Sequence, residues 1–199
     1  MTATLLLIRH AMHTDYGERF SGRADGVGLT EAGERQARAL GERLAEEPIA
    51  AVYSSPRERT RTTAAAVAAP QGVQVVVDEA LDEIDLGDWT GAPIASLVGD
   101  PAFERWNEKR AEASPPNGEP FAAVAERASG FAARSAKAHP GETIAVVSHA
   151  DVIKALVASC LGLQLDNVLR FEIGPASVTR LIFGEWGAKL LTLNEGAAA

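Results

Sequence analysis

Cysteine is nearly missing from this 199-residue chain, which has one, Cys160. A single thiol excludes a disulfide framework and any zinc or iron–sulfur site built on several cysteines. It fits a reducing compartment, so a cytoplasmic location is expected. Long hydrophobic runs are missing too. The first apolar run, Leu5–Ile8, is too short for a signal-peptide core or a membrane span, and no basic stretch precedes it. Cations are the minority: 19 Lys and Arg stand against 27 Asp and Glu, a net charge of −8. That balance argues against a general nucleic-acid or membrane-surface binder. It leaves room for an anionic small molecule, because a local basic pocket outweighs a distant acidic surface.

What the chain does have is an ordinary globular composition, 46% apolar and 23% charged, which excludes a disordered chain. The length suits one domain over residues 1–199. No repeat or long linker appears. The alanine-rich stretches Ala64–Ala69 and Ala122–Ala138 suit helices, and the tail Gly196–Ala199 is expected to fray.

Thr4–Ile8 reads as a short buried strand that stops at Arg9-His10. A glycine-punctuated loop follows over 11–29. Thr30 is a good N-cap for a helix reaching about Glu46, with Leu40 and Leu44 on one stripe and Pro48 as its stop. Ile49–Tyr53 is a second strand. Ser55 as N-cap and Pro56 in the first turn open another helix, which Gly72 ends before a third strand, Val73–Val77. Residues 78–92 read as an acidic loop, and 94–112 as irregular helix broken at Gly99-Asp100-Pro101. A turn over 114–118 precedes a helix from about Glu119 to Ala138. Thr143–Val147 is a fourth strand, and Ser148-His149 is a sharp junction into a helix over Asp151–Leu161. Three strand-like runs close the chain: Leu169–Ile173, Ser177–Phe183 and Lys189–Leu193. Gly184–Gly187 makes the last two an antiparallel hairpin. The alternation specifies an α/β fold with a mainly parallel sheet and an antiparallel edge.

In such sheets ligands sit beyond the carboxyl ends of the strands, where Arg9-His10 and Ser148-His149 both fall. A histidine there is either satisfied by a neighbouring carbonyl or reactive, and Arg9 beside it favours an anion site. Helical spacing puts Arg57 and Arg61 on one face, read as a solvated charged face. Arg59 lies with Thr63, Ala66 and Val67 and turns inward, toward either a structural carboxylate or a phosphate. Glu83 sits among four acids, in a loop that the glycines around Trp89 shape. Trp89 reads equally as pocket lining or as a core anchor. His149 opens a helix whose N-terminus favours anions. Cys160 and His139 read as an inert buried thiol and a helix-end residue, and Asp151 as charge complement to its helix.

Five segments then coincide in order. They are Arg9-His10-Ala11, Leu29-Thr30-Glu31-Ala32-Gly33, Ser54-Ser55-Pro56 with Arg59 and Thr63-Ala64, Leu81-x-Glu83 with Gly87, Trp89 and Gly91, and Val147-Ser148-His149-Ala150. Together they resemble the histidine phosphatase superfamily, branch 1, which includes the cofactor-dependent phosphoglycerate mutases. The resemblance implies a three-layer α/β/α sandwich of the phosphoglycerate mutase-like kind. It implies that His10 is the nucleophile and forms a phosphohistidine, that Arg9, Arg59 and His149 clamp the phosphoryl oxygens, and that Glu83 is the acid and then the base. Ser21, Gly22, Arg23 and Ala150 are expected to touch phosphate or substrate. No metal and no other cofactor is required, since guanidinium groups do the clamping. Departures from the family pattern are Ala11 where glycine is commoner, and Met12-His13-Thr14 in the next three places. These put either His13 or, by a one-residue slip, Thr14 at the following phosphate contact.

The leading expectation is therefore a phosphomonoesterase acting on a small phosphorylated metabolite. The alternatives are a cofactor-dependent phosphoglycerate mutase and a non-catalytic phospho-ligand binder. A metal hydrolase using His10-x-x-His13 is a weaker reading, because a loop does not hold two imidazoles on one face. Residues 94–118 are expected to cap the site, with Arg105 and Arg110 read as exposed surface arginines ahead of a grip on a substrate carboxylate. The partner expected is a small phosphomonoester, with no nucleic acid and no membrane, and the resemblance allows a homodimer. Sugar phosphates, phosphoglycerates, a cobalamin nucleotide-loop phosphate and phosphoproteins all satisfy this reading.

Overall fold

The computed structural model describes residues 2–196, so the expected fraying at Ala197–Ala199 lies outside the described residues. Strand β1 (Thr2–Arg9) is apolar without alternation because both of its faces are buried. Leu5 and Leu7 enter one core with Ile144 and Val146. Leu6 and Ile8 enter a second core with Ala145 and Val147. The elements that follow are α1 (Glu31–Arg43), β2 (Ile49–Ser54), α2 (Glu58–Gln71), β3 (Val75–Val77), α3 (Pro101–Glu108), α4 (Phe121–Ala138), β4 (Thr143–Ser148), α5 (Ala150–Leu161), β5 (Val178–Gly184) and β6 (Gly187–Glu195). The sheet order is β3-β2-β4-β1-β5-β6. β1, β2, β3 and β4 run parallel, while β5 and β6 add antiparallel on one side.

Helices α1 and α2 cover one face of the sheet through Leu40, Val67 and Ala68. Helices α4 and α5 cover the other through Phe121, Phe131, Ile153 and Leu156, which makes three layers. Phe121 and Phe131 are fully buried, and each contributes roughly 1.5–3 kcal/mol of transfer free energy. Thr30 caps α1 by accepting from the Gly33 amide at 3.0 Å. Gly33 has to be glycine here, since a Cβ would fall 1.9 Å from the Met12 carbonyl oxygen. The first turn of α1 is thereby pressed onto the loop that leaves His10.

Several expectations need correction. Leu169–Ile173 is not a strand: a 3-10 turn spans Leu165–Arg170. The turn buries Val168, and the extended stretch after it buries Ile173 in the core and offers its carbonyl to Arg9 rather than to a neighbouring strand. The third strand starts at Val75 rather than Val73. α2 starts at Glu58, with Arg57 as its N-cap residue and no side-chain cap bond. Ser55 and Pro56 thus precede the helix, and the Ser55 hydroxyl is engaged elsewhere. The hairpin between Gly184 and Gly187 is as expected.

Candidate active site

The parallel ladder itself assembles the site. Arg9 pairs with Ser148 across β1 and β4, and Ser54 pairs with Val147 across β2 and β4. The ladder runs one residue further, with the His10 amide donating to the Ser148 carbonyl at 3.0 Å and the Ser55 amide to the Val147 carbonyl at 3.0 Å. His10, Ser55 and His149 therefore leave three neighbouring strands side by side. His10 opens onto a cavity of about 360 Å³ lined also by Arg9, His13, Arg59 and Glu83, among others, whereas Ser55 and His149 are fully buried and are not among its lining residues.

His10 is buried, and its Nδ1 lies 2.8 Å from the Ala11 carbonyl oxygen. A carbonyl only accepts, so Nδ1 carries the hydrogen and Nε2 keeps its lone pair. Burial holds the imidazole pKa well below its ordinary 6.5, with the Arg59 and Arg9 charges adding to the effect. The ring is thus neutral at pH 7 and nucleophilic at Nε2. Its backbone is tied down as well: the Ala11 amide donates to Thr63 Oγ1 at 3.1 Å, and that hydroxyl donates to the Arg59 carbonyl at 2.8 Å.

Arg59 is 2% exposed. Its Nη2 donates to the Gly22 carbonyl at 2.6 Å and lies 3.3 Å from His149 Nδ1. Its Nε and Nη1 are buried without a partner among the described residues, as is Nε of Arg9. A buried guanidinium with idle donors costs free energy unless an anion fills the space. The Nη1 of Arg9 is held by the Ile173 carbonyl at 2.6 Å, which gives the misread segment 169–173 its local role.

His149 is fully buried. Its Nε2 is 2.8 Å from Ser55 Oγ, and Ser55 Oγ donates to Asp82 Oδ1 at 3.3 Å. The serine hydrogen is spent on Asp82, so Nε2 is the protonated nitrogen and Nδ1 faces Arg59 as an acceptor. Burial, then Arg59 and His10, keep this ring neutral. Asp82 is the hub behind the site. Arg57 grips it at 2.9 and 2.8 Å, and it also accepts from the Glu83 amide at 2.8 Å. Arg57 is accordingly not on the solvated face assigned to it with Arg61.

Glu83 Oε2 lies 3.8 Å from His149 Nδ1. Burial, reinforced by the Asp151 charge, raises its pKa from 4.5 to about 7, against the pull of the Ile84 amide, Arg59 and Arg9. Both of its protonation states are therefore populated near neutrality. Asp151 does more than complement its helix: it lines the cavity and pairs with Arg110 at 3.1 Å. Arg110 is no surface arginine. It is 4% exposed, with its guanidinium 3.4 Å from the Trp106 ring centroid.

Ser21, Gly22 and Ala150 line the cavity. His149 has no side-chain cap bond at the start of α5, so first-turn amides are left for an anion. Arg23 is directed elsewhere, donating to the Glu83 carbonyl at 2.8 Å and to Glu119 at 2.9 Å. His13 lines the cavity, whereas Thr14 is exposed. Burial and the two arginines lower the His13 pKa to about 4. No group of three His, Cys, Asp or Glu among the described residues is arranged to hold a metal, so the His10-x-x-His13 alternative lacks a third donor. Trp89 is a core anchor, 5.5 Å from both Phe103 and Trp106 by ring centroids. Of residues 94–118, Ile94 lines the cavity. Cys160 is half-buried, with burial raising its thiol pKa to about 11. His139 ends α4 and bonds Tyr53 and Glu142.

Sequence reasoning missed Ser55, Asp82, Asp151 and Arg19. Local sequence makes Ser55 look like a helix cap, because its hydroxyl partner lies 94 residues away.

The described residues contain no helix long and apolar enough to cross a membrane. A family model for the histidine phosphatase superfamily, branch 1, matches residues 5–196. Phosphoserine phosphatase 1 of Hydrogenobacter thermophilus is 31% identical over 194 residues, covering 96% of this chain and 91% of that protein. The solved structure of Bacillus stearothermophilus YhfR superposes with a TM-score of 0.90 at 31% identity, covering 99% of this chain and 98% of that one. Mycobacterial glucosyl-3-phosphoglycerate phosphatase superposes with a TM-score of 0.89 at 29% identity, covering 98% of this chain and all of that one.

Proposed function

The chain belongs to branch 1 of the histidine phosphatase superfamily, and from that premise we propose that it hydrolyses a small phosphomonoester through a phosphohistidine on His10. Relatives named for phosphoserine and glucosyl-3-phosphoglycerate phosphatase activity place it among phosphatases of small phosphorylated metabolites. The observation that carries the mechanism is a neutral imidazole, tautomer fixed by the Ala11 carbonyl, beside a buried guanidinium with two idle donors.

In the proposed reaction the His10 Nε2 lone pair attacks phosphorus as the ester P–O bond breaks. Protonated Glu83 gives its hydrogen to the departing oxygen. Arg9 and Arg59 carry the charge on the equatorial oxygens, which is where phosphoryl transfer most needs help. His149 Nδ1, an acceptor in the free site, takes up the proton of the monoanionic ester, donates it in a hydrogen bond to a phosphoryl oxygen, and returns it to the phosphate that leaves, which restores the neutral ring. Glu83, now a carboxylate, accepts a proton from water as that water attacks phosphorus. The P–N bond breaks, the His10 lone pair returns, and inorganic phosphate leaves. Ser21, Gly22 and the first-turn amide at Ala150 complete the phosphate cradle in this reading, and Arg23 steadies the Glu83 loop. Segment 94–118 braces the cavity wall through Ile94, and the whole chain acts as one domain.

The test is to mix the protein with a radiolabelled phosphomonoester and quench in alkali. Acid-labile label on His10, with phosphate release from p-nitrophenyl phosphate lost in His10→Ala, is the expected result. Turnover that persists in His10→Ala overturns the reading. Conversion of 3- to 2-phosphoglycerate in the presence of 2,3-bisphosphoglycerate would replace hydrolysis by mutase transfer.

A further inference from the structure

The catalytic cavity opens at the Arg9 end of β1. The other end of that strand carries a different surface. There Thr2 pairs with Gly184, and the β5–β6 hairpin turns through Glu185 and Trp186 to Gly187. β1 is eight residues long, so roughly 23 Å separate the two ends.

Trp186 is 62% exposed, while the other two tryptophans, Trp89 and Trp106, are buried. Two-residue hairpin loops favour Asn, Asp and Gly, so the turn itself gives no reason for an indole in water. A hollow lies beside it. This cavity of about 120 Å³ is lined by Ala133, Ala136, Lys137, Phe183, Gly184 and Glu185. It exists because α4 presents two alanines where the hairpin presents a glycine. Trp186 does not fill it, although its neighbour Glu185 forms part of the wall.

The same hollow carries one charge of each sign. Lys137 and Glu185 are both exposed, and neither has an ion-pair partner among the described residues. A knob, an adjacent hole and two opposite, unpaired charges on one face are what a two-fold interface requires, since each contact is then made twice with the roles exchanged. A small apolar ligand in the hollow would leave the indole in water. Only another copy accounts for the knob, the hole and the charges together.

We propose that the face formed by the end of α4 and the β5–β6 hairpin binds a second copy of this chain. Trp186 of each copy enters the Ala133–Ala136 hollow of the other, and Lys137 of each copy meets Glu185 of the other. The indoles supply the affinity, and the exposed charge pairs set the orientation. Two indoles and the walls they cover bury on the order of 500 Å². That is below the roughly 1,200 Å² at which stable interfaces begin, so the dimer forms reversibly, with a Kd on the order of micromolar. Both catalytic mouths face away from the interface, and each chain keeps its own site.

The experiment is sedimentation equilibrium over a concentration series, with phosphate release from p-nitrophenyl phosphate measured in parallel. The wild-type chain is expected to show a monomer–dimer equilibrium. Trp186→Ala weakens it more than about 100-fold, because two anchors are lost at once. Ala133→Gln, which blocks the hollow from an exposed helix position, does the same without touching the indole. Lys137→Glu or Glu185→Lys alone weakens association about tenfold, since each spoils two symmetric pairs. The double variant Lys137→Glu/Glu185→Lys restores it. All of these variants keep the wild-type melting temperature at dilution and the wild-type kcat/KM per chain. A wild-type chain that stays monomeric up to about 1 mM overturns the proposal and hands the hollow to a different occupant. A dimer that survives both Trp186→Ala and Ala133→Gln also overturns it, because the copies then meet elsewhere. A double charge swap that fails to restore association overturns the assigned orientation. Phosphate release is read separately, so its absence would bear on the phosphatase reading and not on this interface.

Discussion

The floor and the rim of the cavity are built by opposite rules. On the floor, Arg9, His10, Ser55 and His149 stand at or just after strand ends, Arg59 stands in the first turn of α2, and all but Arg9 are buried. Each has its backbone or side chain fixed by a hydrogen bond of 2.6 to 3.3 Å. On the rim, Tyr16, Gly17 and Arg19 are exposed and come from a loop. The floor pays for its rigidity with idle buried donors and a half-buried acid near neutrality. The rim carries none of that strain and is free to vary with the ligand. Chemistry that must be pre-organised sits where the ladder dictates geometry, and selectivity sits where it does not.

The largest way to break this contrast is Arg59→Ala. In the proposed reaction the variant removes the main charge facing the transferred phosphoryl group, and kcat/KM for p-nitrophenyl phosphate is expected to fall by about 10³-fold, on the scale of losing one pre-organised donor or more. Thermal unfolding of the same variant should be little affected or even improved, because two unpartnered buried nitrogens leave with the side chain. A fall of less than about tenfold would mean the floor is not the electrostatic centre.

Glu83 sharpens the contrast through pH. With its pKa raised to about 7, the acid form that the proposed reaction uses to protonate the leaving oxygen disappears as pH rises through 7. The rate of alkyl phosphate cleavage therefore falls on the alkaline side. Glu83→Gln should lower that rate by about 10²-fold and much less for p-nitrophenol, whose leaving group needs no proton. The linkage sign is that of a carboxyl whose folded pKa lies above its unfolded value. The folded state holds the extra proton between 4.5 and about 7, so its stability declines as pH rises across that window. Glu83→Gln should remove the decline and raise the melting temperature at pH 8 relative to wild type. An unchanged melting temperature would place the Glu83 carboxyl in water.

Much of the floor was legible in the sequence because strand ends are. An apolar run that stops at Arg9-His10, and another at Ser148-His149, announces the mouth of a parallel sheet, and helical spacing turned Arg59 inward. What stayed hidden depended on contacts across the chain. Arg57 looked solvated because its partner Asp82 is 25 residues away, and Arg110 because Asp151 is 41 away. Segment 169–173 looked like a strand because its apolar residues fit one. Its first residues instead close a 3-10 turn, and the Ile173 carbonyl goes to the Arg9 guanidinium, a partner 164 residues away in sequence. Arg19 carries no periodic signal at all, and its position is set by loop-to-loop backbone bonds.

Ser55 offers the smallest and finest test of the floor, since it acts through His149 and not on the phosphoryl group. Ser55→Ala removes the acceptor 2.8 Å from His149 Nε2. Asp82 keeps Arg57 and the Glu83 amide, so the hub survives. The His149 ring then loses the partner that fixes its tautomer, and its Nδ1–H and Nε2–H forms mix. The expected loss in kcat/KM is about tenfold, the scale of one net hydrogen bond, together with nitrogen-15 shifts of His149 moving from the Nε2–H form toward an average. Ser55→Cys, which restores a weak donor and acceptor at the same place, should recover part of both. If the His149 shifts and the rate stay at their wild-type values in Ser55→Ala, Arg59 alone orients the imidazole, and the floor is simpler than its hydrogen bonds suggest.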